Sequence, residues 1–173
     1  MIDKLKYSDE TDKSLGLAGM AISLVAYDGE EYLSGVSLVD GEEPFEMSEE
    51  FFFAGNPRFS AKIVWNGLLK QYRITVGMML GNVMCRAYGS GHNPSREAIE
   101  ALHDIAADEG LSRCSLDKDE VDTIFNKSYS YFNRLFSHPV VNDVAKGMAT
   151  TLCTQRRLSA GEVFELLHRL NSI

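Results

Sequence analysis

The chain has 173 residues, 45% of them hydrophobic and 24% charged, with a formal net charge of -8 and a pI near 5.0. That length is enough for one compact domain with its own core, the composition excludes wholesale disorder, and the acidic balance argues against nucleic-acid binding, which needs a basic footprint. The three cysteines, Cys85, Cys114 and Cys153, are odd in number and far apart, which excludes a disulfide framework and suits a reducing cytoplasm.

Residues 11–27 predict a first helix, apolar nearly all round and therefore buried. Asp28-Gly29 stops it, although the same dipeptide is a hairpin signal that leaves Met20–Tyr27 open as a strand. The apolar run Leu15–Tyr27 is about 13 residues, too short to span a bilayer. Asp3, Asp9, Glu10 and Asp12 ahead of it cancel the positive charge that a secretory leader needs. A soluble, cytoplasmic protein with no membrane association is expected.

Over 28–55 the pattern is divided. Val36 and Leu38 alternate with small residues, Asp40-Gly41 marks a turn, and Phe45 and Met47 alternate with Glu46 and Ser48, so short strands and short helical turns fit equally. Phe51-Phe52-Phe53 is expected to be largely covered. Asn56-Pro57 reads as a cap followed by a first-turn proline, with Ser60 as the alternative cap, opening a helix that runs to about Tyr88. Trp65, Leu68, Leu69, Tyr72, Val76, Met79, Leu80 and Val83 share one face of it. At about 40 Å it would be the spine of the domain. Gly67, Gly77 and Gly81 lie inside it, each costing about 1 kcal/mol relative to Ala. Gly77 and Gly81, one turn apart, indicate close approach of another backbone in preference to a hinge.

Gly89 stops the spine. Asn93 then reads as a cap and Pro94 as the first residue of a helix with Ile99, Leu102, Ile105 and Ala106 inward, ended by Gly110. Asp117 and Glu120 form a capping box for a helix burying Val121, Ile124, Phe125, Phe132, Leu135 and Phe136. Pro139 forces a break, and Val141, Val144, Ala145, Met148 and Leu152 continue as a further helix. Ser159 and Glu162 make a second capping box before Val163, Leu166, Leu167 and Leu170. The expected fold is all-α: a multihelical array around one long central helix, a single domain over 1–173, with an irregular or small β insertion near residues 28–55.

The chemistry-bearing residues are sparse. His92, His103, His138 and His168 and the cysteines show no pairing at metal-ligand spacing, so no metal and no cofactor is expected. Asp28, Glu30 and Glu31 lack the alternating oxygens and closing Glu of a calcium loop. Cys85 and Cys114 read as buried and inert rather than nucleophilic, and there is no Gly-x-Ser-x-Gly elbow. No catalytic residue is assigned. The loop Gly89–Asn93 leading to Arg96 is the candidate ligand site: its glycines, a helix N-terminus and an Arg would suit a small anion, held by Ser90, His92, Ser95 and Arg96. The same residues also serve as helix stop and start, and the phosphate-loop Gly-Lys-Ser/Thr ending is missing. Arg156-Arg157-Leu158-Ser159 resembles a basic-directed kinase site, but Ser159 is already used as a cap.

The charges are segregated. Between Ser14 and Pro57 there are nine acidic residues and no Lys or Arg, and from Phe51 to Arg96 there are six basic residues and no Asp or Glu. The acidic insertion could fold over the basic helix, contact it on a second copy, or leave both faces for unlike partners. Lys62, Lys70, Arg73 and Arg86 would form the basic interaction face. Arg86 can equally be read as a last-turn cation meeting the helix dipole, its stem lying over apolar surface.

Residues 51–65, Phe-Phe-Phe-Ala-Gly-Asn-Pro-Arg-Phe-Ser-Ala-Lys-Ile-Val-Trp, resemble a small group of uncharacterised multihelical bacterial proteins. The resemblance implies a helical array of unassigned activity and carries over no functional residue. The leading expectation is a non-catalytic intracellular interaction or regulatory module that self-associates through an apolar face into a homo-oligomer, with a protein partner as a further option. The alternative is a helical binding protein or enzyme that takes a small anionic ligand at the 89–96 loop.

Overall fold

In the computed structural model, which describes residues 5–52 and 61–172 (the side chains of 61–64 and 172 excepted), the first helix begins where Asp9 caps it. The Asp9 carboxylate accepts from the Asp12 N–H at 2.8 Å, satisfying one of the free amides of the first turn. This helix, α1 (Glu10–Ala26), is buried continuously from Ser14 to Gly19 and again from Ala21 to Leu24, as its all-round apolar sequence requires. Ser23 survives there because its hydroxyl donates to the Gly19 carbonyl at 2.8 Å.

The segment after α1 contains both of the forms the sequence left open. A 3-10 turn, Glu30–Tyr32, leads into strand β1 (Leu33–Ser37), strand β2 (Phe45–Met47) and a short helix α2 (Glu49–Phe52). A third strand, β3 (Arg157–Ser159), arrives from the far end of the chain and completes an antiparallel sheet of order β2-β1-β3. Val36 stands opposite both Phe45 and Leu158, and all three are buried on the inner face. Of the two described phenylalanines of the aromatic triplet, Phe51 is buried against Tyr32 at 5.4 Å, but Phe52 is 66% exposed. Adjacent residues of a helical turn point about 100° apart, so one shallow groove cannot cover both.

Helix α3 (Ala61–Gly89) is the long central element, about 43 Å in length at 1.5 Å per residue. The expected Asn56-Pro57 start, the alternative Ser60 cap and Phe53 lie outside the described residues. From Tyr72 onward α3 is buried on more than one face: Tyr72, Ile74, Val76, Met78, Leu80, Met84 and Cys85 are all enclosed. Trp65, expected inside, is 38% exposed. It lies near the start of α3, before the stretch that α1 covers.

Helices α4 (Arg96–Arg113) and α5 (Lys118–Ser137) pack on α3 and on each other, and α6 (Pro139–Gln155) packs mainly on α1. Helix α7 (Ala160–Leu167) covers β1 and ends in a 3-10 turn. Both predicted capping boxes form, Asp117 with Glu120 and Ser159 with Glu162. Two expectations for α4 are corrected. Its cap is Ser95, not Asn93, and Gly110 lies inside the helix rather than ending it. Tyr72 explains the second: its hydroxyl donates to the Ala106 carbonyl at 2.7 Å, and the ring crosses so near Gly110 that a Cβ would meet Tyr72 Oη at 2.8 Å. Ile105, expected inward, is 43% exposed.

The expected close approach occurs between α1 and α3, which run antiparallel. A Cβ on Gly81 would come within 2.5 Å of the Gly19 carbonyl oxygen, and one on Gly19 within 2.5 Å of Cys85 Cβ. Gly77 is equally restricted, by the Tyr27 ring at 2.9 Å and Phe132 at 3.0 Å. The all-α reading with a small β insertion therefore holds; Gly81 is a position of backbone contact, whereas Gly77 meets aromatic rings in place of the expected backbone. Gly19→Ala is expected to destabilise by about 3 kcal/mol or more, because backbone rather than a flexible side chain must move. Gly147→Ala, in open space on α6, should stabilise by about 0.5–1 kcal/mol. Urea melts of the two variants check both signs.

Candidate functional site

The 89–96 loop is placed first. Gly91 takes a left-handed φ of 79°, and Ser90 and His92 are exposed. Ser90, His92 and Ser95 line one shallow depression of about 240 Å³ together with Arg86 and Asp12. Ser95 Oγ is occupied as the cap, accepting from the Ala98 N–H at 3.2 Å. Arg96 does not line the depression; its side chain is 88% exposed and pairs with Glu100 at 2.7 Å.

Arg86 is saturated inside the molecule. Nε and Nη2 donate to the two Asp12 carboxylate oxygens at 2.8 and 2.7 Å. Nη1 donates to the Leu5 carbonyl at 3.0 Å and to Asn82 Oδ1 at 3.5 Å, and Nη2 also donates to the Lys6 carbonyl at 2.7 Å. The guanidinium lies 4.8 Å from the centre of the Tyr7 ring. Every N–H has an acceptor. Arg86 thus clamps the segment before α1 onto α3 and offers no donor to a partner or to an anion at this loop. The side chain of Lys62 lies outside the described residues.

The thiols are sequestered. Burial pushes Cys85 up to about 12, and burial with the nearby Glu109 carboxylate raises Cys114. Cys153 Sγ lies 3.1 Å from Ser14 Oγ. His103 Nε2 is 2.7 Å from Asp122 Oδ1, tying α4 to α5, and His138 Nδ1 accepts from the Val140 N–H at 3.3 Å to cap α6. Among the described residues no group of three or more His, Cys, Asp or Glu side chains is placed to hold a metal ion. No helix of the described residues is long and apolar enough to cross a membrane.

A larger concavity lies elsewhere, between the end of α1, α3 and α5, with a volume of about 790 Å³. Helix α3 contributes Asn66, Leu69, Lys70, Arg73 and Ile74; the polar groups recur at three- and four-residue spacing and so share a face. Thr123 and Lys127, and Ile124 and Ser128, do the same on α5. Tyr27 and Asp28 close the end, Asp28 in the left-handed region with φ 52°.

Three cations therefore stand around one carboxylate in a chain that is acidic overall. Lys70 is partly committed: it bridges to Glu31 at 3.0 Å and lies 5.1 Å from the centre of the Tyr32 ring. The Glu31 hydrogen bond raises Lys70, and although burial opposes it, the Lys70 bond holds Glu31 below its ordinary range. Arg73 and Lys127 are exposed and form no ion pair among the described residues. The Tyr27 hydroxyl and Ser128 Oγ share a 2.7 Å hydrogen bond, and the Tyr27 ring stacks on Tyr131 at 6.0 Å. Burial raises the Tyr27 phenol, against the Ser128 bond.

Lys70 and Arg73 thus belong to the candidate site, whereas Arg86 and Arg96 do not. Thr123, Lys127 and Ser128 were not singled out by sequence reasoning, and Asp28 was read only as a helix stop and as an unfit calcium ligand. On α5 the exposed polar positions look like any solvated face, and nothing in the order of residues links them to α3.

The Arg86 clamp has a pH signature. Burial opposes ionisation of Asp12, but its hydrogen bonds from Arg86 and Ser8 hold the carboxyl below its ordinary range. A depressed carboxylate contributes stability above its unfolded pKa of about 4 and loses it as pH falls through the lower folded value. Asp12→Asn should cost about 2 kcal/mol at neutral pH, with the gap to the parent chain closing below about pH 4; denaturant melts across pH check the convergence.

Compared with protein-family models, curated proteins and solved structures, the chain has no match.

Proposed function

We propose that this chain is a non-catalytic interaction module that self-associates through unlike charged faces. The basic face is the α1–α3–α5 cleft with Lys70, Arg73 and Lys127. The acidic face is the rim of the β-hairpin and α2, with Glu43, Glu46, Glu49 and Glu50.

The observation that carries this reading is that folding leaves much of the segregated charge unneutralised. Glu31 reaches Lys70, and Glu42 reaches Arg157 on β3, so the acidic insertion is partly balanced within the chain. Glu43, Glu46, Glu49 and Glu50 are all exposed and form no ion pair among the described residues, and neither do Arg73 and Lys127. Unpaired charges of opposite sign on separate faces of one molecule are complementary between two copies. Phe52, 66% exposed beside Glu49 and Glu50, adds the apolar anchor that charge alone does not supply. A two-fold pair would make each contact twice. Complementary charge of this kind contributes mainly to encounter rate and selectivity and is screened by salt.

The expected outcome is an oligomer at low salt by size-exclusion chromatography with light scattering, weakened at high salt. Arg73→Glu with Lys127→Glu should give a monomer, as should Glu46→Lys with Glu49→Lys. Mixing the two variants should restore a complex, since one keeps the cleft and the other keeps the rim. A parent chain that is monomeric at all accessible concentrations overturns the proposal.

A further inference from the structure

The cleft is lined with hydrogen-bond donors that the chain itself leaves unused. The forked guanidinium of Arg73 and the ammonium of Lys127 are donors only. Asn66 adds its amide N–H groups and Thr123 its hydroxyl, and none of these four side chains has a hydrogen bond among the described residues. Of the two hydroxyls of Tyr27 and Ser128, whichever accepts in their shared bond keeps its own proton free to donate. The complementary ligand is rich in acceptors and negatively charged. A phosphate, with its several anionic oxygens, meets that description better than a carboxylate.

The rest of the cleft describes what the phosphate is attached to. A volume of about 790 Å³ is far more than a bare anion needs and falls in the range of sites for small organic molecules. Leu69, Ile74 and Ile124 supply apolar wall. At the α1 end sits Asp28, an acceptor whose charge and whose neighbouring helix C-terminus repel an anion. That end suits hydroxyl groups, which donate to the carboxylate. The cleft therefore offers donors for an anion and, at Asp28, an acceptor for a neutral, hydrogen-donating body.

We infer that the cleft binds a small phosphate ester with a hydroxyl-bearing body, of the sugar-phosphate class, with Arg73, Lys127 and Thr123 on the phosphate and Asp28 on a hydroxyl. The inference rests on the assignment of this cleft as the working surface. It also gives that surface a regulator, because bound ester removes the cations that the acidic rim of a second copy would meet.

The test uses the full chain, with ribose 5-phosphate, inorganic phosphate and ribose as probes at constant ionic strength. Calorimetric titration and thermal melts should show saturable binding of ribose 5-phosphate with a rise in Tm, weaker binding of inorganic phosphate, and none of ribose. Arg73→Ala and Lys127→Ala, both on exposed helix surface, should each weaken the ester at least tenfold while circular dichroism stays unchanged. Asp28→Asn keeps a residue that tolerates the left-handed backbone; it should weaken ribose 5-phosphate severalfold, while inorganic phosphate, relieved of a repelling carboxylate, binds as well or better. No saturable binding of either phosphate, or binding unaffected by Arg73→Ala and Lys127→Ala, overturns the site. Equal loss of ester and inorganic phosphate in Asp28→Asn overturns the hydroxyl assignment. Light scattering separates this from the previous proposal. A monomer that binds the ester sinks self-association alone, whereas an oligomer blind to both phosphates sinks the ligand site alone.

Discussion

The backbone contact between Gly19 on α1 and Gly81 on α3 is the constraint on which the other features depend. No side chain can be inserted there without moving a main chain, so the two helices are locked both in separation and in register. Running antiparallel from that point, one direction brings Asp12 to Arg86 and the other brings Tyr27 over Gly77 and against Phe132. The first contact pins the segment before α1. The second sets the end wall of the cleft, because Tyr27 and Asp28 can face Arg73 and Lys127 only if α1 stops at that level of α3. Helix α5 is held to the same pair by Phe132, fully buried beside Tyr27. The cleft is thus a consequence of helix register, not of a dedicated loop.

Charge is handled in two ways in this molecule. Arg86 and Asp12, with side chains only 13% and 15% exposed, are fully hydrogen-bonded to each other and to backbone carbonyls, the condition under which a largely buried pair can be tolerated. On the surface, Lys70 with Glu31 and Arg157 with Glu42 are half-exposed links of small energetic weight. Their effect is positional: Lys70 holds the turn before β1 to the spine and Arg157 holds the hairpin to β3, while the outer carboxylates, Arg73 and Lys127 stay unmatched. An acidic chain with a local cationic concavity concentrates field there, which is the common physical basis of the two proposals made for it.

Legibility followed the range of the interaction. Capping boxes at Asp117 and Ser159 and the break at Pro139 are local, so spacing alone placed them correctly. The start of α4 was missed by two residues because Asn93 and Ser95 are both competent caps, and the choice between them depends on where Ala98 and Leu102 must be buried. Strand β3 has three residues and no periodicity of its own; it exists because β1 offers it an edge from more than a hundred residues away in the chain. Phe52 and Trp65 look buried by composition, yet one face of each helical turn had already been used. Of the site, Lys70 and Arg73 were visible as part of a basic stretch, while Asp28, Thr123 and Lys127 had no signal separate from an ordinary turn and an ordinary solvated helix face.

The residue order by itself determined the helical class, the long spine, the close approach of another backbone at Gly81, the burial of Cys85 and Cys114 and the separation of charge along the chain. These follow from side-chain volume, helix period and local hydrogen bonding, all of which act over a few residues. Only the tertiary structure decided which carboxylate meets which cation, that Arg86 is consumed within the chain, and that Lys70, Arg73 and Lys127 share one concavity with Asp28. Those outcomes depend on helix register and on the direction each exposed face takes, and both are set by packing between segments far apart in sequence.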